Sequence, residues 1–322
     1  MRLKTKVMTI SVALLGALWL NNTSVFLRPD GTPTLLAHRG VHQEYDRTNL
    51  GRDDCTATRV FAPINPMMEN TITSMRAAFE AGADVVELDL HPTNDGQFAV
   101  FHDWTVDCRT DGSGRTRDHT MAQLKALDIG YGYTADGGAT YPLRGTGVGL
   151  MPSLEEVITA FPDRQFFINL KSSSSKDGEA FAALMKVRPD LRAIVWDVYG
   201  GAASVKAVKS AFPDLKTTTR EGLKSCLKSY VLVGWSGHVP AACRGTRLVL
   251  PINIAPYLWG WPDRFIARME HAGSAVVLRG AYKDGSAGGI DTPEDAARIP
   301  TGFSGTIWTD DIETSAPLIR KH

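Results

Sequence analysis

Between residues 34 and 309 the chain alternates short apolar, β-rich runs with segments of helical period, and that alternation narrows its possible folds more than any other feature. Runs suited to strands fall at 34–37, 84–90, 98–101, 166–170, 193–198, 216–219, 248–252, 275–278 and 306–309. Between the first two, 69–82 carries Ile72, Met75, Ala78 and Phe79 at three- and four-residue spacing and stops at Gly82. Segments 121–127 and 153–161 also read as helices, the second opened by a Ser153–Glu156 capping box, and another is expected near 178–187. Strands that alternate with helices become parallel strands joined by crossovers. The expected fold is α/β, a (β/α)8 barrel with loop insertions; alternation alone also allows a doubly wound sheet. Nine runs compete for eight barrel positions, so one of the later ones is expected to be an extra strand or an extended loop. Asn94-Asp95-Gly96 marks a turn between the second and third runs. The aperiodic, Gly- and Tyr-rich stretch 130–149 is read as an active-site rim.

Ahead of this pattern, Arg2, Lys4 and Lys6 precede an uncharged run from Val7 to Leu20, the charged and apolar parts of a secretory signal. The run falls short of the about 20 apolar residues that span a bilayer, and Asn21-Asn22-Thr23-Ser24 offers no clear small-x-small cleavage site. Residues 1–24 are therefore expected to be a signal peptide or a retained membrane anchor, with a buried helix of the fold as the alternative. Export follows, to a periplasmic, secreted or membrane-anchored location. Four cysteines, none in a CxxC pair, fit an oxidising compartment better than a zinc site. Cys55 and Cys108 lie in loops, and Cys226 and Cys243 flank one strand-like stretch. Of three connectivities, Cys55–Cys108 with Cys226–Cys243 is expected, against four free thiols. With 35 basic and 35 acidic side chains and no basic stripe, nucleic acid is not expected as a partner.

Three clusters carry chemistry, each at the C-terminal end of an expected strand, the face that builds active sites in parallel barrels. They are His38-Arg39-Gly40, Glu87 with Asp89, and His102-Asp103. Glu87 and Asp89, two apart on a strand, point the same way. Facing a barrel interior, they would need a positive partner, and a hard divalent cation, Mg²⁺ or Ca²⁺, suits oxygen ligands. The alternative is an outward polar edge with Val86 and Leu88 turned into the core. His38 and His102 can exchange protons near neutral pH, and Arg39 offers a planar fork to phosphate oxygens or to Glu69.

In order, Leu36-Ala37-His38-Arg39-Gly40, Glu69-Asn70-Thr71, Gly82-Ala83-Asp84-Val85-Val86-Glu87-Leu88-Asp89, Thr93-Asn94-Asp95-Gly96 and His102-Asp103 resemble the glycerophosphodiester phosphodiesterases, barrels of the phospholipase-C-like type. Met151-Pro152-Ser153-Leu154-Glu155-Glu156 and the ending Thr306-Ile307-Trp308-Thr309-Asp310 extend the likeness. It implies a barrel over 33–317, a divalent cation, and hydrolysis of a glycerophosphodiester to an alcohol and glycerol 3-phosphate, in lipid metabolism. It further implies His38 and His102 as the acid–base pair, Arg39 and Lys171 at the phosphate, Glu87 and Asp89 as metal ligands, and Glu69 in support.

Two departures stand out. Where the family carries a third carboxylate in a Glu-x-Lys pattern, this chain has Asn169-Leu170-Lys171, so Asn169 would coordinate without charge and a water or Glu155 would assist. The link 41–68 is also longer than usual and carries Cys55, which with Cys108 suggests a lid stapled beside the site, selecting the head group. Two other functions fit the residues. One is a lysophospholipase D- or sphingomyelinase D-like enzyme, with the substrate a lysolipid and the membrane approached through the N-terminal segment. The other is a barrel that binds phosphoesters without turnover.

Overall fold

The barrel is made by β-branched and aromatic runs that are apolar on both faces, as strands covered by helices on one side and by each other on the other must be. In the computed structural model, which describes residues 2–27, 29–51, 54–62, 64–283 and 285–320 and the side chains from Val7 onward, nine strands join one sheet. They are β1 Thr34–His38, β2 Val85–Pro92, β3 Phe98–Val100, β4 Gln165–Leu170, β5 Val195–Gly200, β6 Thr217–Thr218, β7 Arg247–Pro251, β8 Ala275–Arg279 and β9 Thr306–Thr309. The order around the sheet is β6-β5-β4-β2-β1-β9-β8-β7, all parallel. A single parallel bridge, Thr217 to Thr246, links the two ends, so the barrel is nearly closed.

The strand beyond the eight is β3, not one of the later runs. It follows β2 after five residues, far too few for a parallel crossover, so it folds back antiparallel, with Leu90 opposite Val100 and Pro92 opposite Phe98. The expected turn residues Asn94-Asp95-Gly96 sit at its bend, with Gly96 at φ +77°. The expected helices form at Ile72–Glu80, Met121–Ala126, Leu154–Ala160 and Ser175–Val187. Thr71, Thr120 and Ser153 each cap one through a capping box.

Alternation along β2 divides the core. Val86, Leu88 and Leu90 face the helices, packed with Met75, Phe79, Phe166 and Ile168. Val85 faces the barrel axis with Leu36, Phe167, Val277 and Trp308. Each such fully buried apolar side chain contributes roughly 1.5–3 kcal/mol. A second apolar cluster gathers the insertions: Tyr45, Ala57 and Val60 from the first, Phe101 and Val106 after β3, Ile129, and Tyr133 and Leu143 from the long Gly- and Tyr-rich stretch that follows it. Tyr133 and Leu143 thus pin that stretch as a wall against the insertions, while most of its residues stay exposed.

Both expected disulfides are formed, Cys55–Cys108 and Cys226–Cys243. No strand lies between the second pair, however: Cys226 belongs to the helix Arg220–Val233, where Leu223, Cys226 and Tyr230 keep helical spacing, and Cys243 ends a 3-10 turn. The N-terminal segment is the helix Arg2–Asn22, whose side chains from Val7 to Leu20 are exposed apart from partial cover of Leu18. It is therefore no buried helix of the barrel. Its end is fastened by Asn21 and Asn22 donating to the Trp235 carbonyl and by Arg268 donating to the Asn21 carbonyl. Among the described residues no helix is long and apolar enough to cross a membrane. The charged flank expected from Arg2, Lys4 and Lys6 lies outside the described side chains.

Candidate active site

After β1 the chain turns abruptly. Arg39 adopts φ +59° and Gly40 φ +80°, the left-handed region that costs a side-chain-bearing residue energy and is often reserved for functional sites. A Cβ on Gly40 would fall 2.7 Å from the Ser74 backbone, so only glycine lets the turn press against the start of the Ile72–Glu80 helix. The Arg39 N–H donates to the Glu87 carbonyl at 3.0 Å, and Asn70, itself at φ +60°, donates its N–H to the Arg39 carbonyl at 2.9 Å. His38, Arg39, Asn70 and β2 are thereby locked to one another.

Glu87 and Asp89 point inward and are fully buried, with Val86 and Leu88 turned to the helices, so the outward-edge alternative fails. Asp89 is saturated. Asn70 donates to Oδ2 at 3.0 Å and Asn169 to Oδ1 at 2.7 Å, while Arg39 Nε lies 3.2 Å and Lys171 Nζ 3.5 Å away. Burial alone would push Asp89 up, but Lys171 and then Arg39 hold it well below the usual carboxylate range. Glu87 is the opposite case. Burial and the neighbouring Asp89 raise it well above that range. Tyr199 donates to its Oε1 at 2.5 Å, but Oε2 has no hydrogen-bond partner and lies 3.8 Å from His38 Nε2.

An orphaned, buried carboxylate oxygen beside a second inward carboxylate fits a hard cation. Glu87 and Asp89 would hold it, and Asn169 would add its carbonyl oxygen once its amide N–H turns away from Asp89. Glu155 takes no part: it is exposed and ion-paired with Arg188 at 2.5 Å. With Glu156 it lies in the first turn of its helix, facing solvent. His38, His42 and Asp310 also bring ligand atoms within 4.8 Å of one another. Two of these three are already joined by a hydrogen bond, and His42 Nε2 is buried without a hydrogen-bond partner.

The two histidines are held alike. His38 Nδ1 donates to Asp310 Oδ1 at 2.5 Å, and His102 Nδ1 to Asp103 Oδ1 at 2.7 Å, so each leaves Nε2 free. Burial, then the charge of Arg39, takes His38 down to about 3 against the pull of Asp310. Burial, Arg39 and Lys171 lower His102 as well. His102 reaches this face by an unexpected route. It does not end a barrel strand; antiparallel β3 carries it back, with the Phe101 N–H donating to the Asp89 carbonyl at 3.0 Å. Arg39 NH1 meets Glu69 Oε1 at 2.9 Å, so Arg39 holds Glu69 and Asp89 together. Burial raises Glu69, but Arg109 and Arg39 outweigh it and bring it to about 2.

The expected residues His38, Arg39, Glu69, Glu87, Asp89, Asn169 and Lys171 thus form one contact network, and His102 adjoins it through Asp103 and Arg109. Sequence reasoning missed Asp310, whose signal was its place at the end of the last strand, and Tyr199, similarly placed on β5. It also missed Arg109, which had no signal beyond its neighbour Cys108. A cavity of about 440 Å³ opens beside His102, lined by His91, Trp104, Arg115 and Arg117 with Asp54 and Cys108 from the stapled loops.

Comparison with known proteins agrees with this geometry. Residues 38–221 match the model of the glycerophosphoryl diester phosphodiesterase family. A glycerophosphodiester phosphodiesterase of Caldanaerobacter subterraneus is 37% identical over 106 residues, 33% of this chain and 40% of that protein. One from Bacillus subtilis is 39% identical over 114 residues, 34% of this chain and 38% of its own length. The chain thus spans about two fifths of these curated relatives. Among solved structures, a glycerophosphodiester phosphodiesterase from Agrobacterium tumefaciens superposes with a TM-score of 0.59 at 20% identity, over 90% of this chain and 100% of that one. An Oleispira antarctica phosphodiesterase in complex with the product sn-glycerol-3-phosphate gives 0.53 at 17% identity, over 90% and 97%. These structures share the barrel. With the family model matching more than half of its length, the chain belongs to the glycerophosphoryl diester phosphodiesterase family.

Proposed function

We propose that the protein hydrolyses glycerophosphodiesters to an alcohol and glycerol 3-phosphate. The observation that carries this is the pair of imidazoles, each backed on Nδ1 by an aspartate carboxylate, set around inward-facing, fully buried Glu87 and Asp89. One histidine takes the proton of the nucleophile through Nε2, and the other gives a proton to the departing alkoxide oxygen. Arg39 and Lys171, both already leaning on Asp89, present positive charge to the phosphoryl oxygens. A divalent cation, Mg²⁺ or Ca²⁺, bound by Glu87, Asp89 and Asn169 would neutralise charge developing on the phosphoryl group. The loop bearing Cys55 forms part of the cavity edge beside His102 and would select the head group.

Export is proposed on the same footing, from the uncharged run Val7–Leu20 and from two disulfides, which persist in oxidising compartments. With it goes a role in lipid metabolism outside the cytoplasm, with the N-terminal helix cleaved or kept as a membrane tether. Mass spectrometry of the mature N-terminus, together with cell fractionation, tests this; an uncleaved chain found wholly in the cytoplasm would refute it.

The activity is tested by release of glycerol 3-phosphate from glycerophosphocholine, first with EDTA and then with added Mg²⁺ or Ca²⁺. Release restored by metal is expected. A folded protein that is inactive with every metal refutes the reaction, and full activity in EDTA refutes the metal.

A further inference from the structure

We propose that Arg109 is a positioning residue that sets both halves of the active site at once, resting on the hydrolytic reading above. It is 2% exposed and is among the largest fully buried side chains of the protein. Its Nε donates to Asp103 Oδ2 at 2.8 Å, and its NH1 lies 3.2 Å from Glu69 Oε2. Those two carboxylates spend their other oxygens on the site itself: Asp103 Oδ1 receives His102 Nδ1–H, and Glu69 Oε1 receives Arg39 NH1. One planar guanidinium therefore stands behind the proton-transferring imidazole on one side and the phosphate-facing arginine on the other. A flat, permanently charged fork can meet two carboxylates in fixed directions, which a single ammonium cannot do.

Arg109 is itself gripped from outside the site. Its NH1 donates to the Tyr133 hydroxyl and its NH2 to Thr56 Oγ1. Thr56 follows Cys55 and Arg109 follows Cys108, so the Cys55–Cys108 bond ties together the two chain segments that meet at this contact. The Gly132 N–H donates to the Arg109 carbonyl at 3.2 Å, and a Cβ on Gly132 would come within 1.9 Å of the Cys108 carbonyl. The wall made by the long Gly- and Tyr-rich stretch is thus pressed onto the arginine's own backbone. Disulfide, wall and guanidinium form one support, and its two outputs are the orientations of His102 and Arg39.

Two branches predict two kinetic signatures. The Asp103–His102 branch serves proton transfer, so Asp103→Asn lowers kcat with little change in KM. The Glu69–Arg39 branch serves phosphate binding, so Glu69→Gln raises KM more than it lowers kcat. Arg109→Lys, which keeps the charge but loses the fork, lowers kcat and raises KM together, each by about tenfold or more. Because it acts through the same carboxylates, adding Asp103→Asn to Arg109→Lys costs less than the product of the two single effects. A folded Arg109→Lys enzyme with wild-type kcat and KM overturns the proposal, as does full additivity with both partner variants. If Arg109→Lys does not fold, Tyr133→Phe and Thr56→Val each remove one outer contact of the guanidinium and are read by the same split; wild-type kinetics in both overturn it equally.

A readout free of turnover separates this proposal from the hydrolytic one. The NMR resonances of the His102 imidazole are expected to shift in Arg109→Lys, whether or not any glycerophosphodiester is cleaved. Wild-type protein that cleaves none retires the reaction. Unchanged His102 resonances in the folded variant retire the role of Arg109.

Discussion

Replacing Asp310 by asparagine removes a single charge, but the local hydrogen bonds make the consequence larger than that. Oδ2 of Asp310 accepts from Arg47 at 2.9 Å and from the Gly289 N–H at 2.5 Å, while Oδ1 accepts from His38 Nδ1. An asparagine can present its NH2 on only one side. Placed toward Arg47 and Gly289, it would set donor against donor twice, and each buried unpaired group costs about 1–3 kcal/mol. Turned toward His38, it needs only that Nδ1 give up its proton, which the imidazole does by moving that proton to Nε2. The second arrangement wins, and the nitrogen facing the site then cannot accept a proton. Asp310→Asn should lower kcat on glycerophosphocholine by about 10²–10⁴-fold, or about 3–5 kcal/mol of barrier, with KM changed little. Steady-state kinetics give the loss, and nitrogen NMR of the imidazole gives the tautomer. A variant within threefold of wild-type kcat, or one whose His38 keeps its proton on Nδ1, refutes the reasoning.

Asn169→Glu, which adds a third carboxylate beside Glu87 and Asp89, should tighten Ca²⁺ or Mg²⁺ binding by about tenfold or more in calorimetry; unchanged or weaker affinity removes position 169 from the ligand set. Gly40→Ala forces a Cβ to 2.7 Å from the Ser74 backbone at φ +80°, and urea unfolding should show a loss of about 2 kcal/mol or more. Burial, then Lys171, takes His91 down to about 4 from an ordinary 6.5. Its stabilising contribution is therefore complete above pH 6.5 and is lost as pH falls toward 4, by at most about 3 kcal/mol. Thermal melts from pH 7 to 4.5 should accordingly fall less steeply for His91→Gln than for wild type, and parallel curves would count against it.

The alternation of strands and helices, the shared face of Glu87 and Asp89, and the place of His38-Arg39-Gly40 at a strand end are legible in the chain itself. Such features depend on neighbours in sequence: a period of two along β2 places both carboxylates on one face, and a period near 3.6 marks the helices that cover the other. The cysteine pairs also followed, since they belong to a small set of connectivities. What tertiary structure alone decided were contacts between residues far apart along the chain. His38 finds Asp310 across 272 residues and Glu87 finds Tyr199 across 112, because the folded sheet sets β1 beside β9 and leaves only β4 between β2 and β5. His102 looked like a strand-end residue and is one, but on a strand that runs backwards, since five residues after β2 permit nothing but a hairpin. Glu155 matched a motif and was offered to the metal, yet its helix turns it to Arg188 and water. Arg109 is the extreme case: an arginine in a loop has no period and no motif of its own, and only the folded chain shows a single buried guanidinium meeting Asp103, Glu69, Tyr133 and Thr56 together.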